Sequence, residues 1–166
     1  MQDKLGVLFV CTANICRSPT AEAMFRSKAT HAGIAERLVI DSAGTHDYRV
    51  VAPPDLHAQI AARKRGYDLS ALRARKVLLS DIEQFDYILA MDMMNLTLLH
   101  NLCNDDLWQK PKLMMSYSRF YKVKEVPDPY RGGDEGFELV LDMLESATEG
   151  LLTEVQQDLQ RREASR

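Results

Sequence analysis

Cysteine is scarce in this chain of 166 residues, which holds only Cys11, Cys16 and Cys103. An odd, small number argues against a disulfide framework. Histidine is sparse too: His31, His46, His57 and His100 stand at no metal-ligand spacing with the cysteines, so neither a structural zinc nor a cofactor is expected. No apolar run approaches the ~20 residues of a membrane helix, which excludes membrane insertion. Met1-Gln2-Asp3-Lys4 leads straight into a strand-like run with no apolar signal core, so the expected compartment is cytoplasmic. Neither charge sign prevails: 21 Lys+Arg against 24 Asp+Glu leaves a net charge of −3, with no pull toward nucleic acid. Repeats and low-complexity linkers are missing as well. One domain over residues 1–166 is expected, with a frayed tail after Arg161.

What the chain has is alternation. Leu5–Val10 is a continuous apolar run of the buried-strand kind. Leu38–Ile40, ending at Asp41-Ser42-Ala43-Gly44, and Tyr87–Met91 predict two more strands, and Lys112–Met115 a short fourth. Helices are predicted from about Pro19 to Ala32, from Pro54 to Arg65 (broken by Gly66), and over Met93–Leu102. Ser80-Asp81-Ile82-Glu83 reads as a capping box opening another, short one. After Pro127-Asp128-Pro129-Tyr130, a final helix carries Phe137, Val140, Leu141, Leu144, Leu151, Val155 and Leu159 on one stripe. Glu135, Glu138, Glu145 and Glu149 are expected to face water. The pattern predicts an α/β three-layer sandwich, a central four-stranded parallel sheet with helices on both faces. In such sheets ligands bind at the carboxyl ends of the strands.

The first strand runs into Cys11-Thr12-Ala13-Asn14-Ile15-Cys16-Arg17-Ser18, followed by Pro19 and a helix-prone run. A cysteine, five residues and Arg-Ser is the spacing of a backbone loop wrapped around a tetrahedral oxyanion. The loop would bring the N–H groups of Thr12, Ala13, Asn14, Ile15, Cys16, Arg17 and Ser18 to one point at a helix N-terminus, which favours anions. Arg17 can close the ring with two parallel hydrogen bonds, which a lysine could not do. Such surroundings should lower the Cys11 thiol below its ordinary value of about 8.5. Ser18 can donate its hydroxyl to the sulfur, and Asn14 tolerates the left-handed backbone of a tight loop.

This decapeptide, Val10 to Pro19, resembles the phosphate-binding loop of the low-molecular-weight protein tyrosine phosphatases. Asp41-Ser42-Ala43-Gly44-Thr45, Met91-Asp92 and Asp128-Pro129-Tyr130 recur at matching places, so the resemblance covers almost the whole chain. It implies hydrolysis of phosphotyrosine in proteins, with Cys11 as nucleophile, Arg17 on the equatorial oxygens, and Asp128 as acid, then base. No metal is needed in such a scheme. Tyr48 and Tyr130 would wall the incoming ring, unless they are only half-buried surface aromatics. Asn14, Ser18 and Ser42 would form a network supporting the loop. Cys16 would trap oxidised Cys11 as a disulfide, or else is a small core residue. Implied partners are phosphotyrosine proteins and a tyrosine kinase, for a monomer or weak dimer.

The chain also departs from that pattern. Ala13 stands where the family loop usually has glycine, harmless at negative φ and costly at positive φ. Leu72 stands where many members have a histidine supporting the network. Asp92 either buttresses Arg17 or caps a helix. Arg63, Lys64, Arg65, Arg73, Arg75 and Lys76 form either a steering face for acidic phosphopeptides or a solvated surface. Two rival enzymes share the fold. A phosphoarginine phosphatase resembles this loop but carries threonine at the place of Ile15. A thiol-dependent arsenate reductase needs relay cysteines, and only Cys103 remains, most simply a core residue. A phosphate-binding module without turnover would lack Cys11 or Asp128.

Overall fold

A computed structural model describes residues 3–131 and 133–166. Four strands, β1 (Leu5–Cys11), β2 (Leu38–Gly44), β3 (Tyr87–Ala90) and β4 (Pro111–Leu113), form one parallel sheet in the order β2-β1-β3-β4. Alternation along β1 assigns its side chains to two cores. Leu5, Val7, Phe9 and Cys11 pack toward α1 (Arg17–His31), α2 (Leu56–Lys64) and α5 (Gly133–Ala164). Leu8 and Val10 pack toward α3 (Leu79–Gln84) and α4 (Met93–Leu102). The result is the expected three-layer sandwich. Because β2 and β3 flank β1 on opposite sides, the carboxyl end of β1 is a topological switch point, where a crevice opens. Cys11 is the last residue of that strand.

Several boundaries differ from expectation. α1 begins at Arg17, so Pro19 is its third residue; the missing N–H costs nothing there, since the first four have no intrahelical partner. α2 starts at Leu56, after Asp55 accepts the Ala58 N–H at 3.1 Å. The capping box predicted at Ser80 is shifted: α3 starts at Leu79, and Asp81 accepts the Leu78 N–H at 2.7 Å. β4 covers Pro111–Leu113 rather than Lys112–Met115, because Met114 and Met115 turn into a 3-10 segment and are buried. α5 continues past Arg161, where the sequence suggests a frayed tail, to Ala164. Arg162 holds it to Asp86 at 2.9 Å and Asp158 at 3.2 Å, and Glu163 pairs with Arg37 at 2.8 Å. Among the described residues, no helix is long and apolar enough to cross a membrane.

Candidate active site

The segment after β1 turns sharply because Asn14 adopts φ 59, the left-handed region its side chain tolerates. Ala13 has no positive φ, so its methyl carries no backbone strain. Among the described residues, the backbone N–H groups of Ala13 to Cys16 meet no acceptor within the protein, and those of Arg17 and Ser18 open a helix. They are donors in reserve for an anion.

Polar side chains lock the loop from beneath. Asn14 is 2 % exposed; its Oδ1 accepts the Arg75 N–H at 3.1 Å, and its Nδ2 donates to Ser18 at 2.8 Å and Ser42 at 2.9 Å. Ser18 Oγ lies 3.0 Å from the Cys11 sulfur. Ser42 donates to Glu22 at 2.7 Å, and Glu22 also accepts from Arg26 at 2.7 Å. Burial pushes the Glu22 carboxyl above its usual range, against the pull of Ser42 and Arg26, with nearby Asp41 adding to the rise. Leu72 is half-buried against the apolar cluster and takes no part in this network.

Arg17 ties the loop to two other segments. Its Nη1 donates to Asp92 at 2.8 Å and to the Val126 carbonyl at 2.9 Å, while Nη2 reaches Thr12 Oγ1 at 3.4 Å. Asp92 serves both functions considered for it, one oxygen on Arg17 and the other accepting the Asn95 N–H at 2.8 Å to cap α4. Asn95 Nδ2 donates to Thr12 at 3.1 Å, whereas its buried Oδ1 has no partner among the described residues. Val126 also donates its N–H to the Met91 carbonyl at 2.8 Å. The stretch leading to Asp128 is thus pinned two residues upstream, between the end of β3 and Arg17.

These elements enclose a cavity of about 340 Å3 lined by Cys11, Thr12, Ala13, Ile15, Cys16, Arg17, Tyr48, Arg49, Asp128 and Tyr130. Tyr48 stacks on His46 with centroids 4.7 Å apart, leaving 66 % of its surface exposed at the rim. Asp128 is exposed, and its Oδ1 accepts the Tyr130 N–H at 3.1 Å, which sets the two side chains on one turn. Cys16 also borders the cavity but is 8 % exposed; burial pushes its thiol up, reinforced by Asp55, Cys11 and Asp128 and opposed by Arg17. Among the described residues, no group of three or more His, Cys, Asp or Glu is arranged to hold a metal ion.

Of the residues the resemblance assigns to the site, Cys11, Thr12, Ala13, Ile15, Cys16, Arg17, Tyr48, Asp128 and Tyr130 line this cavity, and Asn14, Ser18 and Ser42 lie beneath it. The sequence reading missed Glu22, Arg49, Asn95 and the backbone groups of Arg75 and Val126. Arg49 had a usable signal, adjacency to Tyr48; the others had none. The basic run is not one continuous face. Arg65 binds Glu138 and Asp142 of α5, at 2.6 Å and 2.8 Å, and Arg75 binds Asp41 and Asp81, at 3.0 Å and 2.9 Å. Cys103 is half-buried on the α4 side of the sheet, about 16 Å along α4 from Asp92 at the helical rise.

Sheet order, switch-point loop and cavity together define an α/β protein with a cysteine at the floor of its site, under a loop of unpaired backbone N–H groups. Comparison with known proteins narrows the class. Residues 6–161 match the sequence model of the low molecular weight phosphotyrosine protein phosphatases. The low molecular weight protein-tyrosine-phosphatase YfkJ of Bacillus subtilis is 36% identical over 156 residues, 94% of this chain and 99% of its own length. The Homo sapiens low molecular weight phosphotyrosine protein phosphatase is 43% identical over 137 residues, 81% of this chain and 85% of its own. A crystal structure of a protein tyrosine phosphatase from Entamoeba histolytica, with Hepes in its active site, superimposes with a TM-score of 0.90. It is 38% identical and covers 93% of this chain and 99% of that one. The chain belongs to the low molecular weight phosphotyrosine protein phosphatase family.

Proposed function

We infer that this single domain removes phosphate from phosphotyrosine in proteins through a cysteinyl-phosphate intermediate. The observation that carries this reading is the convergence of Cys11, Arg17 and Asp128 on one cavity between Tyr48 and Tyr130. The phosphoryl group would rest against the free N–H groups of the loop and the Arg17 guanidinium, with the aryl ring between the tyrosines. The Cys11 sulfur attacks phosphorus in line and the P–O bond to the ring breaks. Asp128 delivers its proton to the departing oxygen. Asp128 then takes a proton from water, whose oxygen attacks phosphorus and returns the electron pair to sulfur. Arg17 and the loop dipoles offset the negative charge on the phosphoryl oxygens, as a metal ion does in other phosphoryl-transfer sites.

The two tyrosines lining the cavity favour an aryl phosphate over phosphoserine, and Ile15 places an aliphatic side chain where the phosphoarginine phosphatases carry threonine. Cys103, remote along α4, is badly placed for an arsenate relay. Cys16 is proposed as the resolving thiol for oxidised Cys11. Its burial makes that attack slow, since the thiolate is the nucleophile.

Hydrolysis of p-nitrophenyl phosphate and of phosphotyrosine, phosphoserine and phosphoarginine substrates, with chelator present, tests the reading. Wild type should prefer phosphotyrosine and ignore the chelator. Cys11→Ser should be inactive, and Asp128→Ala should lose about 10²–10⁴-fold. An active Cys11→Ser variant would overturn the mechanism. Full thiol recovery of Cys16→Ser after peroxide would exclude the resolving role.

A further inference from the structure

Glu22 lies in the second turn of α1, 3 % exposed, and the chemistry above makes no use of it. Its significance follows from counting protons along the network beneath the loop. The Asn14 amide is oriented by the Arg75 N–H, which fills its Oδ1. Both Nδ2 hydrogens are therefore committed to the serines, at 2.8 Å to Ser18 and 2.9 Å to Ser42. Each serine oxygen is thus already an acceptor, and each serine proton must be delivered elsewhere. The Ser42 proton goes to Glu22 Oε1 at 2.7 Å. The Ser18 proton has two destinations, the Cys11 sulfur at 3.0 Å and the Ala43 carbonyl at 3.5 Å. The second is far longer than a good O–H···O bond, so the sulfur takes it.

We propose that Glu22 is a positioning residue for the reaction. As terminal acceptor of the chain Glu22–Ser42–Asn14–Ser18–Cys11, it draws off the Ser42 proton, so that the orientation the Arg75 N–H gives the Asn14 amide stands uncontested and the Ser18 hydroxyl keeps donating to the nucleophilic sulfur. A carboxylate can only accept, so its presence removes the alternative polarity. Without that acceptor the Ser42 proton competes with the Arg75 N–H for Asn14 Oδ1, the amide loses its single orientation, and its hold on Ser18 weakens. Arg26 neutralises the buried charge from the same helix, and its guanidinium is itself held by the Ile40 carbonyl at 2.8 Å. The inference rests on the reading of Cys11 as nucleophile.

Two substitutions of similar volume separate positioning from packing. Glu22→Gln keeps an oxygen that can accept from Ser42 and should stay within about twofold of wild type. Glu22→Met fills the space but accepts nothing. Its kcat should fall about tenfold, the scale of one lost hydrogen bond to a charged group, with KM within about twofold. The pH profile of iodoacetate inactivation should move to higher pH in Glu22→Met and not in Glu22→Gln. Ser42→Ala breaks the same chain while leaving the Glu22–Arg26 pair in place, so it serves if Glu22→Met does not fold. The double variant should lose no more than Ser42→Ala alone. A folded Glu22→Met with wild-type kcat and inactivation profile overturns the proposal, as do losses that multiply in the double variant. If Cys11→Ser is inactive while Glu22→Met matches wild type, only the Glu22 inference fails. If Cys11→Ser retains activity, the reading of the site fails first.

Discussion

Replacing Gly44 with alanine offers the sharpest test of how the sheet shapes the thiol loop. Gly44 ends β2 opposite Cys11 in the β1–β2 register. A methyl added there would stand 2.7 Å from the Thr12 carbonyl oxygen, and 3.1 Å from both the Ala13 carbonyl carbon and the His46 oxygen. All three are backbone atoms, so no side chain can swing aside. Ordinary contact begins at 3.4 Å, and the difference, 3.4 − 2.7, requires a displacement of about 0.7 Å. The surrounding bonds leave little room for it. Gly44 donates to Arg75 at 2.8 Å and accepts from Val77 at 2.8 Å, while Thr45 and His46 donate to Cys11 and Thr12 at 2.9 Å and 3.0 Å. The yielding element is therefore the Thr12–Ala13 backbone, the loop itself. Overpacking of this kind costs about 1–3 kcal/mol, a fall in Tm of roughly 2–12 °C at this chain length. A displacement approaching 1 Å at a positioned nucleophile costs up to about 10²-fold in rate. Differential scanning calorimetry and p-nitrophenyl phosphate turnover read the two effects. A Gly44→Ala variant with unchanged Tm and kcat/KM within about twofold of wild type would refute the reasoning.

Three further outcomes are expected. Val51 has φ 72 although it is β-branched, and it is 71 % exposed, so Val51→Gly removes strain while sacrificing little burial. Strain of ~1–2 kcal/mol less the entropy cost of glycine leaves about 1 kcal/mol of stabilisation, a Tm higher by roughly 2–4 °C; a lower Tm contradicts this. Asp92→Asn retains an oxygen to cap α4 but turns an amide toward the Arg17 guanidinium; kcat/KM should fall about 10–100-fold at nearly unchanged Tm, and unimpaired turnover would contradict the buttress. Burial raises the Glu22 carboxyl above 4.5, so the folded state binds its proton more readily than the unfolded state. The urea midpoint of wild type relative to Glu22→Gln should therefore rise as pH falls from neutral toward 4.5, and a gap moving the other way would contradict the sign.

The features legible in the sequence were those written in neighbouring residues. β1, the loop and α1 follow one another along 27 residues, and periodicity with the Cys–Arg spacing identified all three. The parallel sheet with helices on both faces followed from alternation of strands and helices, whereas its strand order came only with the fold. Features built across the fold were not legible. Glu22 lies in a helix-prone run where a glutamate ordinarily faces water, and only the approach of Ser42 from β2 makes it an inward acceptor. The Val126 carbonyl and the Arg75 N–H are backbone groups, for which no residue type gives a sign. The contacts at the end of α5 were not legible for the same reason: Asp86, 76 positions from Arg162, supplies the anchor.

Asn14 and Val51 make the distinction sharper, since both hold positive φ. Asparagine at a tight loop is the residue that local rules favour, whereas valine is among the last they would choose. The cost at Val51 is met by nonlocal bonds. Its N–H donates to the Ala74 carbonyl at 2.8 Å, and Ala74 returns a bond to the Ala52 carbonyl at 2.9 Å. Ala74 precedes Arg75, whose N–H orients the Asn14 amide and whose carbonyl receives the Gly44 N–H. The strained residue, two positions beyond Arg49, thus belongs to the ladder that holds the floor of the site in register. A local rule is broken where several distant bonds depend on the violation. Restoring the local optimum at Val51 should therefore stabilise the fold while loosening the Tyr48–Arg49 wall, so that KM rises in Val51→Gly as Tm does. A variant that gains stability with KM unchanged would show that the strain has no bearing on the site.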